Sequence, residues 1–317
     1  MKYVFIMNPN SGKARKREKL VSQIENAAKS LKVDFEIYFT KNQGDGKYYA
    51  RNLCREAELK GEFVRIYGCG GDGTINELVN GCFGFDNVEI GAVPIGTGND
   101  YIRNYGKVSD FLDIKAQIRG HAVKSDLIKY KAVYDKNVTE SYCANMFNIG
   151  FDCNVVDMTS TVKKFPLAKG SFAYLISVFV ILIKKKGADI KIEYEDGTVV
   201  DEKLLLAAIA NGCFCGGGVK GVPRSKLDDG LMDVSVVRNV TRRFFVRLFP
   251  SYAKGIHLER EDIKKRDVIK YSKEKSLVIT ANGKYLKLCT DGEITMQKRV
   301  EFSIADNGFK FIVPERL

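Results

Sequence analysis

Hydrophobic residues in the first third of the chain alternate between two spacings. Tyr3 to Met7 is a continuous β-prone run. The next apolar positions recur at intervals of three and four, as on one face of a helix: Leu20, Ile24, Ala27, Ala28 and Leu31. The same change of spacing returns twice, and a further β-prone run spans 88–95. Repeated β-α units of this kind predict a parallel sheet covered by helices.

After about residue 122 the pattern consists mainly of β-prone runs joined by turn signals, with helical spacing near 170–185 and 241–255. Three dipeptides between such runs predict type I′ hairpins, in which both central residues need positive φ: Asp196-Gly197, Asn282-Gly283 and Asn307-Gly308. We expect an α/β domain over 1–122, which the segment 303–317 can complete, and a mainly-β domain over 123–302.

Composition narrows the class of protein. The 317 residues are 45% hydrophobic and 28% charged, as in ordinary globular proteins, and the N-terminal apolar run is too short for a secretory signal. The longest apolar run, 172–183, is shorter than the roughly 20 residues that span a bilayer. The 8 cysteines include no C-x-x-C pair, which predicts buried reduced thiols. With only 2 histidines, acid–base chemistry falls to carboxylates.

The charge balance favours an anionic partner. The chain carries 51 Lys and Arg against 39 Asp and Glu, a net charge of +12. Nucleic acid, an anionic membrane or a phosphorylated ligand would each satisfy that charge. No helix-turn-helix, zinc-finger or RNP pattern accompanies it, so we expect no nucleic-acid partner.

The glycine-rich stretch 68–77 lies between a predicted strand and a predicted helix. Its glycines let backbone N–H groups approach an anion closely. Thr74 and Glu77 form an S/T-x-x-E capping box, which predicts a helix that begins at Thr74 with its positive end toward the loop. We interpret the stretch as a phosphate-binding loop; the alternative is an ordinary glycine-rich turn.

Two details distinguish this loop from a dinucleotide-binding one. It satisfies G-x-G-x-x-G, but the next strand leads into a second glycine loop at 94–100 rather than ending at an acidic residue. Asp72 within the run repels phosphate unless a cation lies between them, which suggests Mg²⁺ or a network that organises it. A third loop, 8–13, follows the first strand and does not fit the Walker A pattern.

Together these loops resemble the diacylglycerol kinase catalytic family, which includes sphingosine and ceramide kinases and bacterial lipid kinases. The resemblance spans nearly the whole chain. Its motifs are Asn-Pro-x-Ser-Gly at 8–12, Gly-Gly-Asp-Gly-Thr at 70–74, Pro-x-Gly-Thr-x-Asn-Asp at 94–100, Gly-Gly-Gly at 216–218, Asp-Gly-Leu-Met-Asp at 229–233 and Asp-Gly-Glu at 291–293. It implies a Rossmann-like, NAD-kinase-like nucleotide domain, a C-terminal β-sandwich, and a lipid site in the cleft between them.

The resemblance also assigns an ATP site and a catalytic group. The residues that would bind ATP are Asn10, Thr40, Gly70, Gly71, Asp72, Gly73, Thr74, Ile75, Asn76, Thr97, Asn99 and Asp100. Glu293 matches the position that takes the proton from the lipid hydroxyl. Asp291, with Asp72 and Asp100, would hold or orient Mg²⁺. From the residues alone, the stretch 291–293 also fits a plain hairpin turn.

A second metal site follows from the resemblance and would support structure rather than reaction. Its ligands would be the side chain of Asp229 and the backbone carbonyls of Lys226 and Leu231.

An enzyme that acts on a bilayer lipid needs attraction to the surface and an apolar entry. Two stretches combine apolar bulk with basic residues: 172–183, followed by three lysines at 184–186, and 242–249. The alternative interpretation of the first stretch is a buried core helix.

The leading hypothesis is an ATP- and Mg²⁺-dependent kinase that phosphorylates diacylglycerol, to give phosphatidic acid, or a related lipid alcohol. We expect a cytoplasmic protein that associates peripherally with an anionic membrane surface, and the sequence allows a homodimer. Two alternatives stay open: an NAD kinase-like small-molecule kinase, and a non-catalytic nucleotide-sensing protein that binds membranes.

Overall fold

A computed structural model describes residues 1–151 and 187–316, and the elements are numbered over those residues. As far as residue 125 they are β1 (Lys2–Met7), α1 (Ala14–Leu31), β2 (Phe35–Phe39), α2 (Asp45–Leu59), β3 (Val64–Gly70), α3 (Asp72–Cys82), β4 (Val88–Pro94), α4 (Ile114–Arg119) and β5 (His121–Ser125). They continue with β6 (Ile128–Tyr134), β7 (Asn137–Cys143), β8 (Met146–Gly150), β9 (Ala188–Tyr194), β10 (Val199–Ala210), β11 (Met232–Arg238), α5 (Arg242–Ala253), α6 (Glu261–Lys265), β12 (Ile269–Glu274), β13 (Ser276–Ala281), β14 (Leu286–Thr290), β15 (Glu293–Gln297), β16 (Arg299–Ile304) and β17 (Phe309–Val313).

The chain divides into two compact units, one formed by 1–125 with 306–317 and the other by 126–305. The boundary expected after residue 122 falls inside β5. Because β5 pairs along its length with β17, the whole strand belongs to the first unit.

The first unit is built on a six-stranded sheet in the order β2-β1-β3-β4-β17-β5. Strands β1 to β4 pair in parallel, as the alternating β-α pattern predicted, and β5 is antiparallel to β17. The central strands β3 and β4 are buried along almost their whole length. Such continuous burial is typical of strands covered on both faces.

The second unit contains an antiparallel sheet whose main path runs β15-β14-β8-β10-β9-β13-β16-β6-β7, with β11 pairing to both β10 and β12. Its strands show the alternation of a sheet with one buried face. In β9, Ile190, Ile192 and Tyr194 are buried in the core of this unit, whereas the residues between them point outward. The mainly-β character predicted for this half is therefore present in the described residues.

None of the three predicted type I′ hairpins forms: one dipeptide joins paired strands through another type of turn, and two join strands that do not pair with each other. Asp196-Gly197 does join the paired strands β9 and β10, although only Gly197 of the two has positive φ, so the turn is not type I′. Asn282-Gly283 separates β13 from β14, which pair with other strands, and Asn307-Gly308 separates β16 from β17, which lie in different sheets. Local turn chemistry cannot reveal strand partners that are distant in sequence.

The predicted helix near 241–255 is confirmed as α5, and Thr241 caps it by accepting a hydrogen bond from the N–H of Phe244 at 3.3 Å. The apolar run 172–183, its lysines at 184–186 and Cys153 lie outside the described residues. Seven cysteines are described as free thiols; five are buried as predicted, while Cys213 and Cys215 are half-buried. Across 1–151 and 187–316, no helix has the length and apolar character of a bilayer-spanning segment.

Candidate functional site

Three loops lie at the carboxyl edge of the first unit's parallel sheet, after β1, β3 and β4. A Cβ atom added at Gly96 would lie 2.5 Å from the Cα and 2.8 Å from the N atom of Gly71. A Cβ at Gly12, where φ is +67°, would lie 2.9 Å from the carbonyl oxygen of Ile95. The loops therefore pack backbone against backbone, which larger residues at these glycines would prevent.

Asp72 connects the loops after β3 and β4. Its Oδ1 accepts the backbone N–H of Asp100 at 2.8 Å and that of Tyr101 at 3.1 Å. Burial raises the pKa of the Asp72 carboxyl, and hydrogen bonds from backbone N–H groups partly offset this effect. One role of Asp72 is thus to hold the second loop in place.

A second carboxylate lies beside Asp72. A Cβ atom at Gly98 would lie 2.8 Å from Asp72 Oδ2 and 3.4 Å from Asp100 Oδ2, so both carboxylates approach the same glycine. Arg103 contributes positive charge 3.5 Å from Asp100 Oδ1. Asn99 shapes the loop with φ of 53° and donates from Nδ2 to the carbonyl of Gly96 at 3.0 Å. Carboxylate oxygens are ligands that divalent cations prefer, and these two converge beside the glycine-rich stretch that the sequence predicts to bind phosphate.

The predicted capping box is wrong. Helix α3 begins at Asp72, two residues before Thr74, and no side chain caps it. Glu77 Oε1 accepts the backbone N–H of Gly44 at 2.9 Å, at the start of α2. The carboxylate therefore ties α2 to α3 instead of closing the turn of its own helix.

The remaining predicted nucleotide contacts also belong to the first unit. Thr40 is buried at the end of β2, and its N–H donates to the carbonyl of Met7 at 3.0 Å. Asn10 and Thr97 are exposed. Arg17, which the sequence gave no reason to select, donates to the carbonyls of Ser11 and Gly12 at 3.2 and 3.0 Å and so fixes the first loop.

Asp291 and Glu293 lie in the second unit, on the hairpin between β14 and β15. Asp291 and Gly292 have φ of 45° and 94°, as a type I′ turn requires. Asp291 Oδ1 accepts the backbone N–H of Met146 at 3.1 Å, and its Oδ2 lies 3.3 Å from the thiol of Cys143. Burial and then the negative charge of Asp291 raise the pKa of Cys143. Asp291 is thereby anchored to β8, whereas Glu293 is exposed.

The segment 225–233, assigned by resemblance to a metal, has protein partners for its central carboxylate. Asp229 Oδ1 accepts the N–H of Leu231 at 3.2 Å, and Asp229 Oδ2 lies 2.6 Å from the ammonium of Lys273. Asp126 Oδ2 accepts the N–H of Gly230 at 2.7 Å. Within the described ranges, no group of three or more His, Cys, Asp or Glu is arranged to hold a metal. Lys226 and Leu231 were expected to contribute only backbone carbonyls, so the metal site at Lys226, Asp229 and Leu231 stays a prediction.

Sequence reasoning missed Lys273, Asp126 and Cys143. No local motif marks them, because each acts on a segment distant in sequence. Lys273 could have been found only from the pairing of β11 with β12, which places it opposite Asp233.

Comparison with known proteins gives two family matches. Residues 2–130 match the diacylglycerol kinase catalytic domain, and residues 145–312 match the YegS C-terminal NAD kinase beta sandwich-like domain. A diacylglycerol kinase of Staphylococcus epidermidis is 30% identical over 293 residues, covering 91% of this chain and 84% of that protein. A diacylglycerol kinase of Bacillus subtilis (strain 168) is 27% identical over 287 residues, covering 88% of each chain.

Solved structures confirm the fold class. The crystal structure of a diacylglycerol kinase from Bacillus anthracis str. Sterne has a TM-score of 0.67 and 22% identity, and the match covers 98% of this chain and 96% of that one. Yeast NADH kinase complexed with NADH matches with a TM-score of 0.50 and 10% identity, over 100% of this chain and 84% of that one. At these identities the likeness concerns the fold alone.

Proposed function

This chain belongs to the diacylglycerol kinase catalytic-domain family, and from that premise we propose that it transfers the γ-phosphate of ATP to the hydroxyl of a membrane lipid alcohol. Diacylglycerol is the first candidate acceptor because the Staphylococcus and Bacillus relatives carry that name, and its product would be phosphatidic acid. Phosphatidylglycerol and sphingoid bases are further candidates of the same chemical class.

The observation that carries the proposal is the backbone contact of the two glycine loops at Gly71 and Gly96. No side chain separates the loops there, and α3 begins at once after Gly71. The N-terminus of a helix leaves backbone N–H groups without intrahelical partners and has a positive dipole, so it favours phosphate. This arrangement supports ATP binding by the first unit, with Asn10, Thr40 and Thr97 as further contacts.

Phosphoryl transfer depends mainly on positioning and charge neutralisation, together with a base for the attacking hydroxyl. We assign Glu293 as that base, since a carboxylate can accept the hydroxyl proton and this side chain is exposed. Asp291, anchored to Met146, orients the hairpin that carries Glu293. Mg²⁺, held by Asp72 and Asp100, would neutralise charge on the phosphates.

Helix α5 supports action at a membrane surface. Residues 241–258 contain no Asp or Glu. Arg243, Arg247 and Lys254 are exposed at helical spacing along one side of it. Val246, beside them, is 58% exposed, which adds an apolar contact. The larger apolar residues of α5, Phe245 and Leu248 among them, pack in the core of the second unit, so attraction to an anionic lipid surface would come from the basic residues and Val246.

The test of the reaction is transfer of γ-phosphate from ATP, with Mg²⁺, to a panel of lipid alcohols in anionic mixed micelles, with NAD as a parallel acceptor. We expect one lipid to be phosphorylated by the parent and none by Glu293→Gln. Glu195→Gln makes the same chemical change on an exposed turn of the second unit and should keep full activity. Phosphorylation of NAD and of no lipid would show that the protein is an NAD kinase-like enzyme instead. ATP binding without phosphorylation of any acceptor would favour a nucleotide-sensing protein.

The test of membrane contact is sedimentation with vesicles of phosphatidylglycerol and phosphatidylcholine. Each basic residue near an anionic surface contributes about 1 kcal/mol, so Arg243→Gln, Arg247→Gln and Lys254→Gln together should weaken binding by about 10²-fold. A control variant with glutamine at the exposed Lys60, Lys136 and Lys284 loses the same charge elsewhere. Equal losses in both variants would mean that net charge alone, and not α5, directs the protein to the surface.

A further inference from the structure

Two carboxylates of the second unit that have no assigned role in the reaction, Asp229 and Asp233, contact the same ammonium. Both aspartates belong to the segment 225–233, and Asp233 is also the second residue of β11. Lys273 projects from β12, where the strand register places it opposite Asp233. Its Nζ lies 2.6 Å from Asp229 Oδ2 and 3.1 Å from Asp233 Oδ2.

Asp233 makes a cation necessary at this position. The residue is 0% exposed, and its Oδ1 also accepts a hydrogen bond from the hydroxyl of Tyr271 at 2.7 Å. A buried carboxylate without a positive partner is strongly destabilising. Lys273 supplies that cation, since its Nζ lies 3.1 Å from Asp233 Oδ2.

We propose that Lys273 is the resident cation of the segment 225–233, which consequently needs no divalent metal ion to fold. The family resemblance assigns that place to a metal on Asp229 and the carbonyls of Lys226 and Leu231. In this chain the ammonium fills the same electrostatic role and bridges Asp229 to the buried Asp233.

An ammonium and a metal ion exclude each other at this site. Mg²⁺ binds oxygen at about 2.0 to 2.1 Å and Ca²⁺ at about 2.3 to 2.6 Å. Either ion on Asp229 Oδ2 would meet the like charge of Lys273, which lies within hydrogen-bond distance of the same oxygen. Removal of the ammonium would leave two carboxylates without their cation, and a divalent ion could then bind them. The proposal does not depend on which molecule the enzyme phosphorylates.

The experiment is thermal unfolding of the nucleotide-free protein in EDTA, Mg²⁺ or Ca²⁺. We expect the parent to unfold at the same temperature in all three, within about 1 °C. Lys273→Met should unfold on the order of 5 °C lower in EDTA, because the buried Asp233 loses its half-exposed cation, and should regain much of that loss in Mg²⁺ or Ca²⁺. Lys275→Met, an exposed lysine two residues along the chain, should show neither effect.

Two results would overturn the proposal. One is a parent protein that loses stability in EDTA and recovers it in Mg²⁺, with Asp229→Asn removing that dependence. This result would place a metal on Asp229 despite Lys273. A dependence caused by Mg²⁺ bound in the first unit would instead persist in Asp229→Asn. The other is Lys273→Met with parental stability and no response to metal. If Lys273→Met does not fold, Lys273→Gln combined with Asp233→Asn removes the ammonium together with the buried carboxylate that requires it, and this variant should fold in EDTA.

Discussion

Replacing Gly96 by alanine tests whether the two glycine loops need their close contact. The new Cβ would lie 2.5 Å from Gly71 Cα and 2.8 Å from Gly71 N. Carbon atoms in contact normally lie about 3.5 to 4.0 Å apart, so the loops must separate by about 1 Å. Both clashing atoms are backbone atoms, and no change of side-chain rotamer can relieve the overlap. A displacement of about 1 Å at a catalytic site can cost about 10²-fold, or about 2.7 kcal/mol.

The assay for Gly96→Ala is the dissociation constant of ATP with Mg²⁺, measured by titration calorimetry without lipid. We expect affinity to fall by about 10²-fold and the free energy of unfolding to fall by about 1 to 3 kcal/mol because of the overlap. Gly283→Ala is the matched control, since a Cβ there meets nothing within 4 Å and no positive φ is required.

Parental ATP affinity in Gly96→Ala would refute this reasoning. It would mean that nucleotide binding does not depend on the contact between the loops, and the main support for the ATP site would be lost. Equal loss of affinity in Gly283→Ala would point instead to a general effect of the substitution.

Substitutions at three further residues, Asp72, His257 and Glu77, test the contribution of each side chain. Asp72→Asn keeps an amide oxygen for the two backbone N–H groups but lacks the charge, so it should lose turnover and keep its unfolding temperature, whereas Asp72→Ala should lose both. Burial lowers the pKa of His257 to about 4, below the ordinary 6.5. As the pH falls, His257 is therefore protonated in the unfolded protein at a higher pH than in the folded protein. The free energy of unfolding should fall by about 2 to 3 kcal/mol as pH drops from about 6.5 to about 4. His257→Gln should remove that part of the pH dependence, measured by urea unfolding at both pH values. Glu77→Ala should destabilise the fold by about 1 to 2 kcal/mol in the same assay, and Glu77→Gln should cost less because it retains the acceptor for Gly44.

Sequence patterns predicted the features that depend on neighbouring residues. The β-α alternation gave the parallel sheet, and the glycine loops were found because close backbone approach needs glycine at particular positions. The capping box failed because Glu77 binds Gly44, 33 residues earlier in the chain. The hairpins expected at Asn282 and Asn307 failed because strand partners are chosen by the whole sheet and not by the turn.

The hairpin between β14 and β15, which carries Asp291 and Glu293, was predicted only in part, because its anchoring contact is distant in sequence. Its type I′ geometry follows from Asp291 and Gly292, and the family motif selects Glu293. The partner that fixes the hairpin, Met146, lies 145 residues away, and nothing in the sequence near either residue indicates the contact. Residues assigned to ATP and to catalysis stay predictions until the variants above are measured.

Asp72 and Asp291 use their carboxylates in the same way, although they belong to different units. Oδ1 of Asp72 accepts the N–H groups of Asp100 and Tyr101, and Oδ1 of Asp291 accepts the N–H of Met146. Hydrogen bonds of this kind favour the ionised carboxylate and fix its position before any substrate binds. The turn interpretation and the catalytic interpretation of the hairpin are therefore compatible, since one aspartate can hold a loop and supply negative charge together. Asparagine at either position keeps the acceptor and removes the charge, and so separates the two contributions.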